Sequence, residues 1–304
     1  MRVQQFLQFA SQQFPFSSIM TNNTTTSRLA PVITISHGGG PMPVLGDPSH
    51  AAIVNSLKTR VPKVLKLNTP DQPRAIVLVT AHWQTDVVSV SSGEKPQLYY
   101  DYGGFPAKAY QLKYDAPGSP GVAAEVMRAL EKEGVKSVKD EKRGWDHGVF
   151  IPMMLINPKA DIPIVQVSIL ASESPSEHFA YGRALSSLRA ENIAIVGSGS
   201  PSWHNLPSFA ALSTPGPGQR EINELNLEFN KAVYDAVSTA NEKEREKKFE
   251  NWRSWPGSYK MHPRGLADHF MPLNVCAGAA GEGADASFYS DEFLGLSIWS
   301  FVWE

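Results

Sequence analysis

Ala75-Ile-Val-Leu-Val-Thr-Ala-His-Trp83 is the stretch whose reading decides the fold. Its first five residues are aliphatic or β-branched with no polar interruption, which predicts a strand buried on both faces, as in a parallel sheet. His82 then stands at the carboxyl end of a strand, where open α/β sheets place their ligands. The construction recurs twice. Val32-Ile-Thr-Ile35 runs into Ser36-His37-Gly-Gly-Gly40, and Ile193-Ala-Ile-Val196 runs into Gly197-Ser-Gly-Ser-Pro-Ser-Trp-His204. Three strand ends deliver three histidines, so the fold class is α/β with its site at the carboxyl ends of the strands.

Outward from these strands, Asp47-Pro-Ser-His50 predicts a helix start, with a short helix to about residue 65 and His50 as a capping or surface histidine. Val87-Val-Ser-Val90 predicts a further strand, and Tyr99-Tyr-Asp-Tyr-Gly-Gly-Phe-Pro106 an ordered loop. Ser119-Pro120 opens a helix that Gly134 stops, and Ser174-Pro-Ser-Glu177 opens another that carries His178 on its flank. Between them Ile162-Pro-Ile-Val-Gln-Val167 predicts a strand. From residue 221 to about 252 the pattern predicts one long helix, ending in the solvated charge run Glu242-Lys-Glu-Arg-Glu-Lys-Lys248. An Ala/Gly-rich helix and a last strand near residues 296–303 close the chain.

The chain of 304 residues is 42% hydrophobic and 19% charged with a formal charge of −2, a balance that favours neither nucleic acid nor an anionic membrane as partner. No apolar run approaches the roughly 20 residues that span a bilayer. A lone cysteine, Cys276, excludes an internal disulfide and a cysteine-rich zinc site, and fits a reducing, cytoplasmic setting. Residues 1–30 are rich in Ser, Thr, Gln and Asn, hold Arg2 and Arg28 as their charges and contain no acidic residue. They read as a disordered extension or a weak mitochondrial targeting segment, leaving residues 31–304 as a single catalytic domain. No oligomeric state is legible.

His37, His82, His147, His204 and His269 all stand beside glycine, proline or tryptophan at predicted element ends, and their convergence on one metal is the economical reading. Imidazoles so spread through a sequence imply a site assembled by the fold, suited to Zn(II) or Fe(II). Gly38, Gly39 and Gly40 allow either close backbone approach to a ligand or a plain tight turn. They lack the lysine of a phosphate loop. Asp146 and Asp268 are candidates to orient the adjacent His147 and His269, or to cap helices. Ser198 lies in Gly197-Ser-Gly199 rather than in a nucleophile elbow, which argues against a serine hydrolase.

Taken in order, Ser36-His37-Gly38, Thr80-Ala-His-Trp83, Asp101-Tyr-Gly-Gly-Phe-Pro106 with Tyr114-Asp-Ala-Pro-Gly-Ser-Pro120, Trp145-Asp-His-Gly148, Gly197-Ser-Gly199 with His204-Asn-Leu206, and His269-Phe-Met-Pro-Leu273 resemble the class III extradiol ring-cleaving dioxygenases, in particular the 4,5-DOPA extradiol dioxygenase branch. The resemblance runs from about Pro31 to the C-terminus. It implies a central mixed sheet with helices on both faces, and a metal bound by His37, His82 and His269. It further implies His204 as acid/base histidine or, with zinc, a fourth metal ligand, and His147 as a substrate-contacting histidine. The implied working metal is Fe(II), with Zn(II) able to occupy the site. The implied partners are O2 and a small aromatic diol, a DOPA-like catechol opened to a semialdehyde. Such cleavage needs a base for a catechol proton and an acid for O–O breakage, and a histidine near neutral pKa serves both. Family members carry a His-Pro pair closer to the last ligand than His262 is to His269 here, which leaves His262 without a role. Two other classes compete: a zinc-dependent hydrolase, which needs a carboxylate base that no motif supplies, and a non-catalytic interaction protein of the same fold. Tyr102, Phe105, Trp203 and Tyr259 are candidates for an aromatic pocket, or ordinary packing.

Overall fold

A computed structural model describes residues 29–304. The predicted N-terminal extension, but for Leu29 and Ala30, lies outside the described residues. Eight strands form one mixed sheet: β1 Val32–Ser36, β2 Ala75–Thr85, β3 Val88–Ser91, β4 Ser137–Asp140, β5 Ile164–Leu170, β6 Ile193–Gly199, β7 Ala286–Phe293 and β8 Leu296–Trp303, in the order β4-β3-β5-β2-β6-β1-β8-β7. The central strands β5, β2, β6 and β1 are parallel, whereas β8 joins β1, and β3 joins β5, antiparallel.

The unbroken apolar runs are explained by burial from both sides. Val77 and Val79 of β2 and Ile195 of β6 point into a core shared with helices Pro175–Leu185, Pro217–Val237 and Met271–Ala279. Ile76, Leu78 and Val196 point to the opposite core, under helices Ala51–Thr59 and His147–Ile156. Alternation along each strand thus feeds two cores, and helices cover both faces.

The quoted stretch holds a departure from regularity. β2 continues through His82 to Thr85 instead of stopping at Val79. Its register against β5 passes from Val79↔Val167 to Gln84↔Ile169, so Thr80-Ala-His-Trp83 stands opposite Ser168 alone. Pairing with β6 ends at Thr80↔Ser198. This bulge bends His82 out of the ladder, a common use of an extra residue beside a site.

The long helix read over residues 221–252 is two helices, Pro217–Val237 and Glu242–Glu250. Asn241 breaks it by accepting the Glu244 N–H at 3.0 Å and so capping a new start. Nor is the charge run fully solvated. Arg245 is buried and donates to the carbonyls of Ala277 (3.0 Å) and Thr239 (2.6 Å), while Glu242 and Glu246 pair with Arg183. Strands β4 and β7 and the helix His147–Ile156 carry no clear periodic signal in the sequence.

Candidate metal centre

His37 follows β1 and is buried. Its Nδ1 lies 2.9 Å from Ser198 Oγ, and Ser198 spends its own proton on the Gly148 carbonyl. Ser198 must therefore accept from His37 Nδ1–H, which leaves Nε2 of His37 as a lone pair. That Nε2 lies 3.1 Å from Nε2 of His82, presented by the β2 bulge. His269 arrives from the opposite side, at the start of helix Met271–Ala279. Its carbonyl accepts the Ser200 N–H at 2.9 Å, and a Cβ at Gly199 would stand 2.4 Å from that oxygen, so only glycine admits His269 this closely. One nitrogen from each of His37, His82 and His269 lies within 4.8 Å of the others.

His204 stacks on His269 with ring centroids 3.4 Å apart and a 19° tilt. Asp268 serves both: its Oδ1 lies 3.3 Å from His204 Nδ1 and 3.1 Å from His269 Nδ1, within electrostatic reach, though both nitrogens lie off the direction of a hydrogen bond and have no other partner. His147 opens the helix His147–Ile156, its ring centroid 3.8 Å from that of His82. Its backbone N–H and its Nδ1 both reach Asp101 Oδ1, at 2.9 and 2.8 Å.

Burial, followed by the neighbouring imidazoles, lowers the pKa of His37 and His82 well below the ordinary histidine value and that of His269 to about 4. These rings are therefore neutral at physiological pH, the state a metal ligand requires. Burial works to raise Asp268 and Asp101, but contacts with His204 and His269, and with His147, hold both below the usual carboxylate range.

A borderline metal fits this centre. Nitrogens on one such ion at about 2.1 Å are spaced by about 3 to 4 Å, close to the spread of the three imidazoles. The set combines neutral nitrogen donors with carboxylates behind the rings.

Asp146 does not orient His147. It is buried and accepts from Thr80 Oγ1 (2.8 Å), Gln166 (3.1 Å) and Arg143 (3.0 Å), while Thr80 Oγ1 in turn accepts the His82 N–H at 3.2 Å. It thus anchors the bulge. Asp101 takes the role foreseen for Asp146; its only sequence signal was its place in the aromatic Gly-Gly loop. His50 stands at the N-cap position of helix Ala51–Thr59, without a side-chain capping bond, and is not a surface residue: it is buried, its Nε2 accepts the Gly39 N–H at 2.9 Å, and its Nδ1 lies 2.9 Å from Asp47. The middle glycine amide is therefore occupied by His50. Gly38, at φ +77°, leaves no room for a Cβ beside Pro43 and His50. His178 is satisfied at both nitrogens within its helix start, by the Leu170 N–H and the Ser174 carbonyl. His262 is buried among Phe229, Trp252 and Phe270, outside the cluster.

A cavity of about 450 Å³ opens over the rings of His82, His147, His204 and His269. Tyr102, Phe105 and Trp203 line it as foreseen; Tyr259 does not, being exposed and packed against Arg253 and Arg264.

Residues 31–297 match the family described as the catalytic LigB subunit of aromatic ring-opening dioxygenase, and the chain belongs to that family of class III extradiol enzymes. It is 52% identical over 286 residues to the dioxygenase tasH of Hapsidospora irregularis, covering 92% of this chain and 87% of the relative. A 4,5-DOPA dioxygenase extradiol of Beta vulgaris is 36% identical over 229 residues, with 74% and 80% covered, and one of Escherichia coli K12 is 38% identical over 259 residues, with 84% and 86% covered. The crystal structure of an uncharacterized protein of Escherichia coli K12 superposes with a TM-score of 0.66 at 28% identity, over 90% of this chain and 99% of that one. The family makes the chain an aromatic ring-opening dioxygenase. Among the described residues no helix is long and apolar enough to cross a membrane.

Proposed function

We propose that residues 31–304 act as a single catalytic domain in which His37, His82 and His269 hold a metal, Fe(II) in the working enzyme, and that the protein opens a catechol ring beside a hydroxyl. The observation that carries this reading is the meeting of three neutral imidazoles under a cavity flanked by two further histidines, each with Nδ1 turned to a carboxylate. When bound, the metal would supply a common site at which catechol oxygens and O2 exchange electrons. The net change balances without an added reductant. One ring C–C bond breaks, and both atoms of O2 enter the product, one in the new carboxyl and one in the new aldehyde.

The chain's own residues handle protons and position. With Nδ1 beside Asp268, His204 has Nε2 free to take a catechol proton and later return it. Asp101 fixes the tautomer of His147 by accepting from Nδ1, so Nε2 of that ring can accept a catechol hydroxyl; on taking that proton the ring becomes an imidazolium, braced by Asp101, whose Nε2–H faces the catechol oxygen as its negative charge develops. With Zn(II) in the site, His204 is available as a fourth ligand. The relatives named for DOPA make it the first catechol to try.

Anaerobic reconstitution with Fe(II), followed by air and a panel of catechols that begins with DOPA, should give a yellow ring-opened product and one O2 consumed per ring opened for at least one member. Tight metal binding with no oxygen uptake on any catechol of a broad panel would refute this function.

A further inference from the structure

The far wall of the cavity carries information about the substituent on the ring. Beyond the histidines it is built by Met42, Ile53, Phe105, Trp203, Phe293 and Ile298. Among the described residues no lysine or arginine lines it. Asp47 supplies its fixed charge: hydrogen bonds from Ser49 and His50 lower its pKa and keep it anionic. The other polar groups beside Asp47 are already engaged: the Ser49 hydroxyl donates to Asp47, and both ring nitrogens of His50 are taken, by Asp47 and by the Gly39 N–H. At the mouth, Leu206 and Phe209 line the cavity while 63% and 43% exposed.

Size points the same way. A cavity of about 150 Å³ holds a benzene ring, and this one is about 450 Å³. A bare catechol would leave most of the apolar wall uncovered. A carboxylate on the substituent would lie against that wall with no cation to pair it and with Asp47 nearby, an arrangement that costs binding.

We infer that the enzyme's substrate is a catechol bearing an uncharged apolar substituent, alkyl or aryl, and that a carboxylated catechol is a poor one. This rests on the ring-opening reading above. The catechol end is held at the histidines, and the substituent runs along Ile53, Phe105 and Trp203 toward Leu206 and Phe209.

The test compares 4-methyl-, 4-ethyl-, 4-propyl-, 4-butyl- and 4-phenylcatechol with 3-(3,4-dihydroxyphenyl)propanoate and DOPA. Two readouts are taken: kcat/KM of the Fe(II) enzyme by oxygen uptake, and Kd by calorimetry on the zinc-loaded protein, where no turnover intrudes. Affinity should rise about fourfold per methylene along the alkyl series, and 4-butylcatechol should exceed the propanoate by at least about tenfold in both readouts. Leu206→Arg, at the exposed mouth, should shift the ratio toward the propanoate by bringing a cation to its carboxylate. Catechols opened with the propanoate or DOPA equal to or better than 4-butylcatechol would overturn the substrate class while leaving ring opening intact. If no catechol were bound or opened, both readings would fall.

Discussion

Replacing Ser198 by alanine tests how the site chooses its ligand atoms. The hydroxyl donates to the Gly148 carbonyl and accepts from His37 Nδ1, and it is this double commitment that leaves Nε2 of His37 as the lone pair facing His82. Without it, His37 Nδ1–H is a buried donor with no acceptor, and the ring loses the contact that selects its tautomer. Removing a group that orients a metal-bound histidine typically costs 10- to 100-fold in affinity, or about 1.4 to 3 kcal/mol. Folding stability should also fall, by about 1 to 3 kcal/mol for the donor left unpaired. Chelator competition with Zn(II) and with anaerobic Fe(II) measures the first quantity, and urea unfolding of the metal-free protein the second. Turnover at saturating Fe(II) should recover most of its wild-type value, because neither His204 nor His147 contacts Ser198. Metal affinity within twofold of wild type would refute the tautomer argument.

Four further substitutions probe other parts of the architecture. His82→Ala should abolish metal retention through a desalting column, while His204→Gln should remove oxygen uptake and weaken metal binding far less; equal metal retention by the His82 variant and wild type would exclude the site. Gly199→Ala drives a Cβ to 2.4 Å from the His269 carbonyl, so the β6 end and His269 must separate, with a loss of about 1 to 3 kcal/mol visible in the unfolding midpoint and a weaker metal site. His178 is buried, and burial lowers its pKa to about 4, below an unfolded value near 6.5. It costs nothing above pH 6.5. Between there and about pH 4 the unfolded chain takes a proton that the folded chain refuses, so stability falls by about 2 kcal/mol at pH 5. His178→Gln should reduce the difference in urea stability between pH 7.5 and pH 5 by that amount, and an unchanged pH slope would count against it.

The parts of this molecule legible in the sequence were those built by local pattern. The buried strands declared themselves because two-sided burial demands unbroken aliphatic runs, and Ser119-Pro120 and Ser174-Pro175 marked helix starts because capping is local chemistry. The bulge at Thr80-Ala-His-Trp83 was not legible: its cause is the register against β5, a partner whose pairing residue Val167 lies 88 positions from Val79. The same holds for the carboxylates. Asp146 adjoins His147 in sequence, yet the helix that begins at His147 turns the ring toward Asp101 and leaves Asp146 facing Thr80 and Gln166. His50 misled for a related reason, since a cap-like sequence at Asp47-Pro-Ser-His50 forms a turn whose last residue folds inward over Gly39.

The two carboxylates behind the site are not equivalent, and the difference suits the roles given to their histidines. Asp101 hydrogen-bonds one residue, accepting from the backbone N–H and ring Nδ1 of His147, and so fixes that ring in place as well as in tautomer, while its other oxygen stands 3.7 Å from His82 Nδ1, beyond hydrogen-bond reach. A group that must meet a developing negative charge gains from such preorganisation, because no rearrangement is needed when the charge appears. Asp268 instead stands between His204 and His269, near both Nδ1 atoms and off the ideal direction for either. A proton arriving on His204 therefore draws on the same anion that faces His269. With His269 holding a metal as proposed, a proton gained or lost by His204 would be coupled to the electron-donating power of that ligand through one shared oxygen, and the stacking of the two rings at 3.4 Å keeps that coupling short.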